Sequence, residues 1–383
     1  MFRRAKTVRL VAVLCAVSLL AAACSSSTST SKPSSSSKSS ATKSTTPIPI
    51  SIQLYSGSFY TYLADIAQVQ GFFTKNGLDA TMINVTAGGS VAMAAVASGS
   101  ADMAMGDLPL TGPYLERGVG MTAVSGAVSA AWEIVAAKGE TFPASYPASV
   151  HALAGKGVGV VALGTSSYFY LKALLAASGM SPTSVNYVAL GGVPANAVAA
   201  LGADRVAAAL VSPDLAYYFV HDLHYQLVFN YNDPATLDSV GGIWKARAGK
   251  SGGYMWASNS WIAAHPGGVS RFQLAMEEAD VWMHNPANLT KVLADLEAQK
   301  NVPSFAAGPA GPAYFKSILP YVVAYVPAGS ATAFRSFWIK AGALNANFPP
   351  PSKWFASGIP TSSAQVVANV KAAGEGKLGN TAS

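Results

Sequence analysis

The sequence predicts an α/β protein of two lobes, each lobe a mostly parallel sheet flanked by helices. Three observations carry the prediction. From residue 48 onward, short β-prone runs alternate with helical segments, which implies parallel strand pairing. A second series of the same alternation begins near Leu153. Residues 157–163 form an almost uninterrupted apolar run, as a strand buried on both faces requires.

The elements follow in order. Residues 50–55 read as a strand ending at Ser56-Gly57-Ser58, and 60–70 as a helix. Residues 80–85 read as a strand, then Ala87-Gly88-Gly89-Ser90 opens an Ala-rich helix over 90–98. A strand at 101–105 leads through Gly106-Asp107 into a helix reaching Arg117, with strands at 121–128 and 132–137 after it. In the second series, Thr165-Ser166-Ser167 caps a helix that ends at Gly179, a glycine suited to the left-handed conformation past a helix end. Strands at 185–190, 206–211 and 226–230 alternate with helices at 194–201 and 213–220. Beyond about residue 250 the texture becomes helical, clearest over 268–284, 286–299, 330–342 and 361–373.

Composition at first suggests other classes. Of 383 residues, 51% are hydrophobic and 11% charged, with a net charge of +7. Only one segment, near the N-terminus, approaches the roughly 18 apolar residues of a membrane-spanning helix. Seven positive charges (Arg3, Arg4, Lys6, Arg9, Lys32, Lys38 and Lys43) precede residue 46, where no acid occurs. The remaining 18 basic residues equal the 18 acidic ones, so the body is neutral and a nucleic-acid partner is not expected.

Residues 1–23 have the three parts of a secretory signal: a basic start, an apolar run over 10–20, and Ala21-Ala22-Ala23 before Cys24. The segment resembles a bacterial lipoprotein signal, cleaved before a lipidated cysteine, which assigns lipidation to Cys24. The lipobox leucine expected three residues before the cysteine stands one place earlier, at Leu20. Residues 24–47 then form a Ser/Thr-rich tether that cannot bury enough apolar surface to fold. Cys15 leaves with the signal and Cys24 carries lipid, so no thiol, disulfide or cysteine metal site remains.

In open α/β sheets, ligands bind outside the carboxyl ends of the strands. Those ends carry Ser56, Gly57 and Ser58; Gly88, Gly89 and Ser90; Asp107; and Thr165, Ser166 and Ser167. Glycine admits close backbone approach, and a helix start offers free N–H groups to an acceptor. Each such group also serves as an ordinary helix cap; their recurrence in both halves points to a cleft. Phe59, Tyr60, Tyr168 and, past the second crossover, Trp256 add aromatic contact area. Asp107 either caps its helix or receives a ligand amine.

Several segments resemble the solute-binding proteins of ABC importers, in the NMT1/SsuA-like branch of nitrate, sulfonate, taurine and thiamine-precursor binders. They are Gly71-Phe72-Phe73 with Lys75 and Gly77-Leu78, Gly88-Gly89-Ser90, Gly99 to Asp102, Leu153 to Val160, and Asn285-Pro286. The resemblance implies a two-domain periplasmic-binding-protein-like fold of type II. Carried over, domain I is 48–137 plus 245–373, domain II is 150–235, and the crossovers are 138–149 and 236–244. It also implies hinge closure on a small molecule, delivery to a permease with a cytoplasmic ATPase, and a monomer anchored outside the cytoplasm by its N-terminal lipid.

No Lys or Arg occurs among the loop candidates, which disfavours a dianion. A small monoanion of sulfonate type is favoured on family grounds; a neutral heteroaromatic such as a thiamine-precursor pyrimidine is the alternative, as is a receptor serving a membrane sensor. No enzyme, cofactor or metal site is expected. His221 and His224 lie three apart without a third ligand, and no His-Glu-x-x-His or Gly-x-Ser-x-Gly pattern occurs.

Overall fold

The structure, a computed structural model, describes residues 46–55, 57–85, 89–247, 252–300, 303, 306 and 308–375. Cys24, the signal and nearly all of the tether lie outside this range. Among the described residues, two five-stranded sheets form. The strands are β1 (Ile48–Tyr55), β2 (Leu78–Val85), β3 (Met103–Gly106), β4 (Met121–Val128), β5 (Glu133–Ala136), β6 (Gly157–Val160), β7 (Asn186–Ala189), β8 (Ala208–Val211), β9 (Leu227–Asn230) and β10 (Gly253–Ser258).

The first sheet has the order β2-β1-β3-β10-β4 and the second β7-β6-β8-β5-β9. β1 pairs in parallel with β2 and β3, and β6 with β7 and β8. β10 runs antiparallel to β3 and β4, and β5 antiparallel to β8 and β9. The lobes therefore share one topology. In each, the antiparallel strand fills the same place and is the strand by which the chain enters from the other lobe.

This pairing corrects the expected domain boundary. Residues 133–136 belong to the second sheet, because they hydrogen-bond with β8 and β9. The first crossing falls between β4 and β5, not at 138–149. The return falls between β9 and β10 and contains two helices, Pro234–Val240 and Gly242–Arg247. β10, which the sequence reading did not assign as a strand, is buried at all six positions. A strand enclosed on both faces and both edges shows no alternation, so periodicity does not reveal it.

Several family-like segments prove to be fold-building. Gly71 and Gly77 adopt positive φ on either side of the short helix Phe72–Lys75. Lys75 and Asn76 reach Glu278 at 2.6 and 2.8 Å, tying that turn to the helix Gly268–Met283. Asp102 accepts from the Ser51 amide and hydroxyl at 2.8 and 2.7 Å, fixing β3 beside β1. Asn285 accepts from the Ala287 amide at 3.1 Å as a cap. The outer edge of β4 is covered by C-terminal segments: the Gly126 amide donates to the Ala324 carbonyl at 3.0 Å, and Ala123 bridges Phe355. Covering an edge removes a template for pairing with another chain. Among the described residues, no helix is long and apolar enough to cross a membrane.

Candidate ligand-binding cavity

The carboxyl ends of β1, β2, β3 and β4 and those of β6, β7 and β8 line a common cavity of about 310 Å³. Its size lies at the small end of ligand pockets. The first sheet contributes Tyr55, Ser58, Tyr60, Gly89, Ser90 and Asp107. The second contributes Thr165, Ser166, the loop Leu190 to Pro194, Ser212 and Asp214. Trp132, on the first crossing, and Gly252 and Gly253, where β10 begins, close the ring.

The lining follows from the shared topology. β3 and β8 are the equivalent third strands, and each leads into a helix carrying an acid at its start. Asp107 caps Leu108–Glu116, accepting from the Leu110 amide at 3.2 Å. Asp214 lies in the first turn of Pro213–Tyr217 and is 1% exposed. The Tyr314 hydroxyl donates to its Oδ2 at 3.5 Å, while its Oδ1 has no hydrogen-bond partner. Burial pushes both carboxyls up to about 6, against partial relief from Ser166 for Asp107 and from Ser212 for Asp214. Tyr60 feels both acids: burial, then the charges of Asp214 and Asp107, raise its phenol well above the usual value. Glu133 is pushed up to about 7, mainly by burial, and Asp214 adds to that rise. No Lys, Arg or His lines the cavity among the described residues.

The aromatic wall is ordered. Tyr60 lies 6.2 Å from Trp132 between ring centroids, and the Trp132 indole donates to Ser166 Oγ at 3.0 Å. The Tyr55 hydroxyl donates to the Met105 carbonyl. At Gly89 a Cβ would stand 2.7 Å from the tip of Leu110 and 3.1 Å from the Tyr55 hydroxyl, so a larger residue would have to displace the Leu110 side chain.

Seven sequence-predicted site residues meet at the cavity: Ser58, Tyr60, Gly89, Ser90, Asp107, Thr165 and Ser166. Ser56 and Gly88 lie outside the described residues. The structure places the others elsewhere. Gly57 turns the chain at φ 69° and is not among the lining residues. Phe59 is fully buried in the core of the first lobe, because a 3-10 turn points it inward while Tyr60 faces out. Ser167 is buried, its hydroxyl accepting from the Val161 amide at 3.0 Å. Tyr168 packs on Tyr187 at 4.9 Å with Lys172 over its ring. Trp256 is enclosed within the first sheet, donating to the Gly106 carbonyl at 2.9 Å and stacking on Trp354.

Sequence reasoning missed Asp214, Ser212, the loop after β7, and Gly252-Gly253. Asp214 was detectable, since Ser212-Pro213-Asp214 follows an apolar strand much as Gly106-Asp107 does. His221 packs at a tilt against Tyr217, 4.4 Å between ring centroids, and His224 has a φ of 58°. No group of three or more His, Cys, Asp or Glu is placed to hold a metal among the described residues.

Two lobes of common topology around a cavity at their strand ends define the class, a type II binding-protein fold. Solved structures show the same class. The chain is similar to the alkanesulfonate-binding protein SsuA from Xanthomonas axonopodis pv. citri, bound to MOPS, with a TM-score of 0.60 and 19% identity over 81% of this chain and 99% of that one. It is similar to the periplasmic nitrate-binding protein NrtA from Synechocystis PCC 6803, with a TM-score of 0.63 and 15% identity over 85% and 89%. The aliphatic sulphonate-binding SsuA from Escherichia coli gives 0.60 and 16% over 82% and 94%. No curated protein matches the chain in sequence. A family model described as NMT1/THI5 like matches residues 61–234. An NMT1/THI5-like domain thus spans β2 to β9, strands of both lobes.

Proposed function

We propose that the chain is an extracytoplasmic solute-binding lipoprotein of an ABC importer. Its lobes close on a small organic ligand and present it to a membrane permease with a cytoplasmic ATPase, while lipid on Cys24 and the tether 24–47 hold it at the membrane. The observation that carries this reading is the cavity itself, built by matching strand ends of both sheets. A ligand touching both lobes favours the closed state through its greater affinity for that state.

A sulfonate or other small monoanion, the ligand favoured on family grounds, draws little support from the described lining. That lining offers an anion only N–H and hydroxyl donors, opposite Asp107 and Asp214. The relatives named for sulfonates and nitrate share the fold at under 20% identity, which leaves ligand chemistry free to differ.

The test is mass spectrometry of small molecules released on denaturing the purified chain, with X-ray scattering before and after adding the released compound back. A stoichiometric compound that contracts the protein is the expected result. A chain that releases nothing and whose scattering no candidate solute changes is not a solute receptor. Radiolabelled palmitate incorporation, lost in Cys24→Ala, tests the anchor.

A further inference from the structure

The described cavity is lined by one buried carboxyl, Asp214, and one half-buried carboxyl, Asp107, with no opposing cation. Burying charge without a partner is costly, and proteins offset it by pairing, hydrogen bonding or neutralisation. Asp107 has partial relief from the Leu110 amide and Ser166. Asp214 is relieved by Ser212, the Leu215 amide and Tyr314, yet its Oδ1 is buried and without a hydrogen-bond partner, on a side chain that lines the cavity. Among the described residues nothing donates to that oxygen, which leaves it open to a ligand donor.

We propose that the cavity takes an organic amine cation, its protonated nitrogen donating to Oδ1 of Asp214 and balancing the charge of Asp107 on the opposite lobe. This rests on the solute-binding reading and names the ligand class. Three features specify the class. An unpartnered acceptor calls for a hydrogen-bond donor, which a quaternary ammonium lacks, and the negative charge of the carboxylates favours a cationic one. Two carboxylates from different lobes mean that one cationic head draws both lobes together. The rings of Tyr60 and Trp132 line the same cavity as the acids, and aromatic faces attract cations. Val85, Leu110, Val160, Leu190 and Phe334 provide apolar surface for the carbon skeleton.

The residues 248–251, which include Lys250, lie outside the described residues and adjoin Gly252 in the chain. Lys250 therefore enters the test as a competing explanation. Calorimetric titration of the purified chain at about pH 7.5 would use phenethylamine, butylamine and butane-1,4-diamine, with the alcohol and sulfonate of each skeleton. At least one amine is expected to bind about tenfold or more tightly than its alcohol and sulfonate counterparts. Asp214→Asn and, separately, Asp107→Asn should each remove about tenfold or more of that affinity while near-ultraviolet circular dichroism stays native. Lys250→Ala should leave it intact.

Sulfonate binding without amine binding, lost in Lys250→Ala, would overturn the amine assignment and leave the solute-binding reading standing. If nothing in the panel binds, the released compound decides. A basic nitrogen in it supports the proposal, its absence overturns the ligand class alone, and the release of no compound overturns both.

Discussion

The Trp132 indole N–H donates to Ser166 Oγ at 3.0 Å, joining the first crossing to the helix start of the second lobe. Ser166 also eases the rise that burial imposes on the Asp107 carboxyl of the first lobe, so one hydroxyl serves both lobes. Ser166→Ala should lower ligand affinity by about 0.5–1.5 kcal/mol, the usual net value of a hydrogen bond. Titration with the released compound would show the loss, and scattering of the ligand-free chain should shift toward a more open form. Unchanged affinity and shape would mean that the link carries no weight in closure.

Asp107 and Asp214 lower the stability of the empty protein at neutral pH. Both have an ordinary value of 3.8 that the fold raises to about 6. The folded chain therefore binds more protons than the unfolded chain between about pH 4 and 6, and stability falls as pH rises through that window. Asp214→Asn should raise the unfolding free energy at about pH 7.5 by roughly 1–3 kcal/mol. The gain should vanish below about pH 3, where the wild-type carboxyl is protonated in both states. Urea melts of the ligand-free proteins at the two pH values would check it. An equal effect at both would show that the carboxyl titrates normally.

The same acids set the pH dependence of amine binding. An amine cation prefers the ionised carboxylates, so affinity should fall as pH drops below about 6, by up to about tenfold per unit for each carboxyl that must ionise. Binding at about pH 6 should release protons, visible as a calorimetric heat that depends on the buffer's ionisation enthalpy. The groups sharing this environment are Tyr55, Tyr60 and Tyr254 around Asp107, and Glu133, Tyr60, Tyr62 and Tyr314 around Asp214. The tyrosines are all raised above their usual value, which leaves Glu133, at about 7, as the other group titrating nearby.

Gly126 tests the fold apart from the site. A Cβ there would lie 2.5 Å from the Tyr325 carbonyl oxygen and 2.9 Å from that of Ala324. Both contacts are backbone, so β4 and its covering segment must separate. Gly126→Ala should destabilise the chain by about 1–3 kcal/mol, the usual cost of overpacking. Ligand affinity below the melting transition should be unchanged, and thermal melts paired with titration would separate the two effects.

Much of the fold was legible because strand and helix signals are local. The run 121–128 was read with the bounds that β4 has, and the 12-residue helix Ser166–Ala177 follows its Thr165 cap. At the cavity, Ser58, Gly89, Asp107 and Ser166 were legible as small or polar residues between strand and helix. Phe59 and Tyr60 were not separable in sequence. Adjacent aromatics in a turn point to opposite sides, and only packing shows which side is core.

The sequence alone determined the alternation of strand and helix, the polar strand ends, the neutral body and the export-like start, all properties of neighbouring residues. Only the tertiary structure decided that β5 joins the second sheet and β10 the first, and that Asp107 and Asp214 face one cavity. The physical reason is that strand pairing and burial are settled between residues far apart in the chain. A carboxyl before a helix is an ordinary cap until the opposite lobe removes its water.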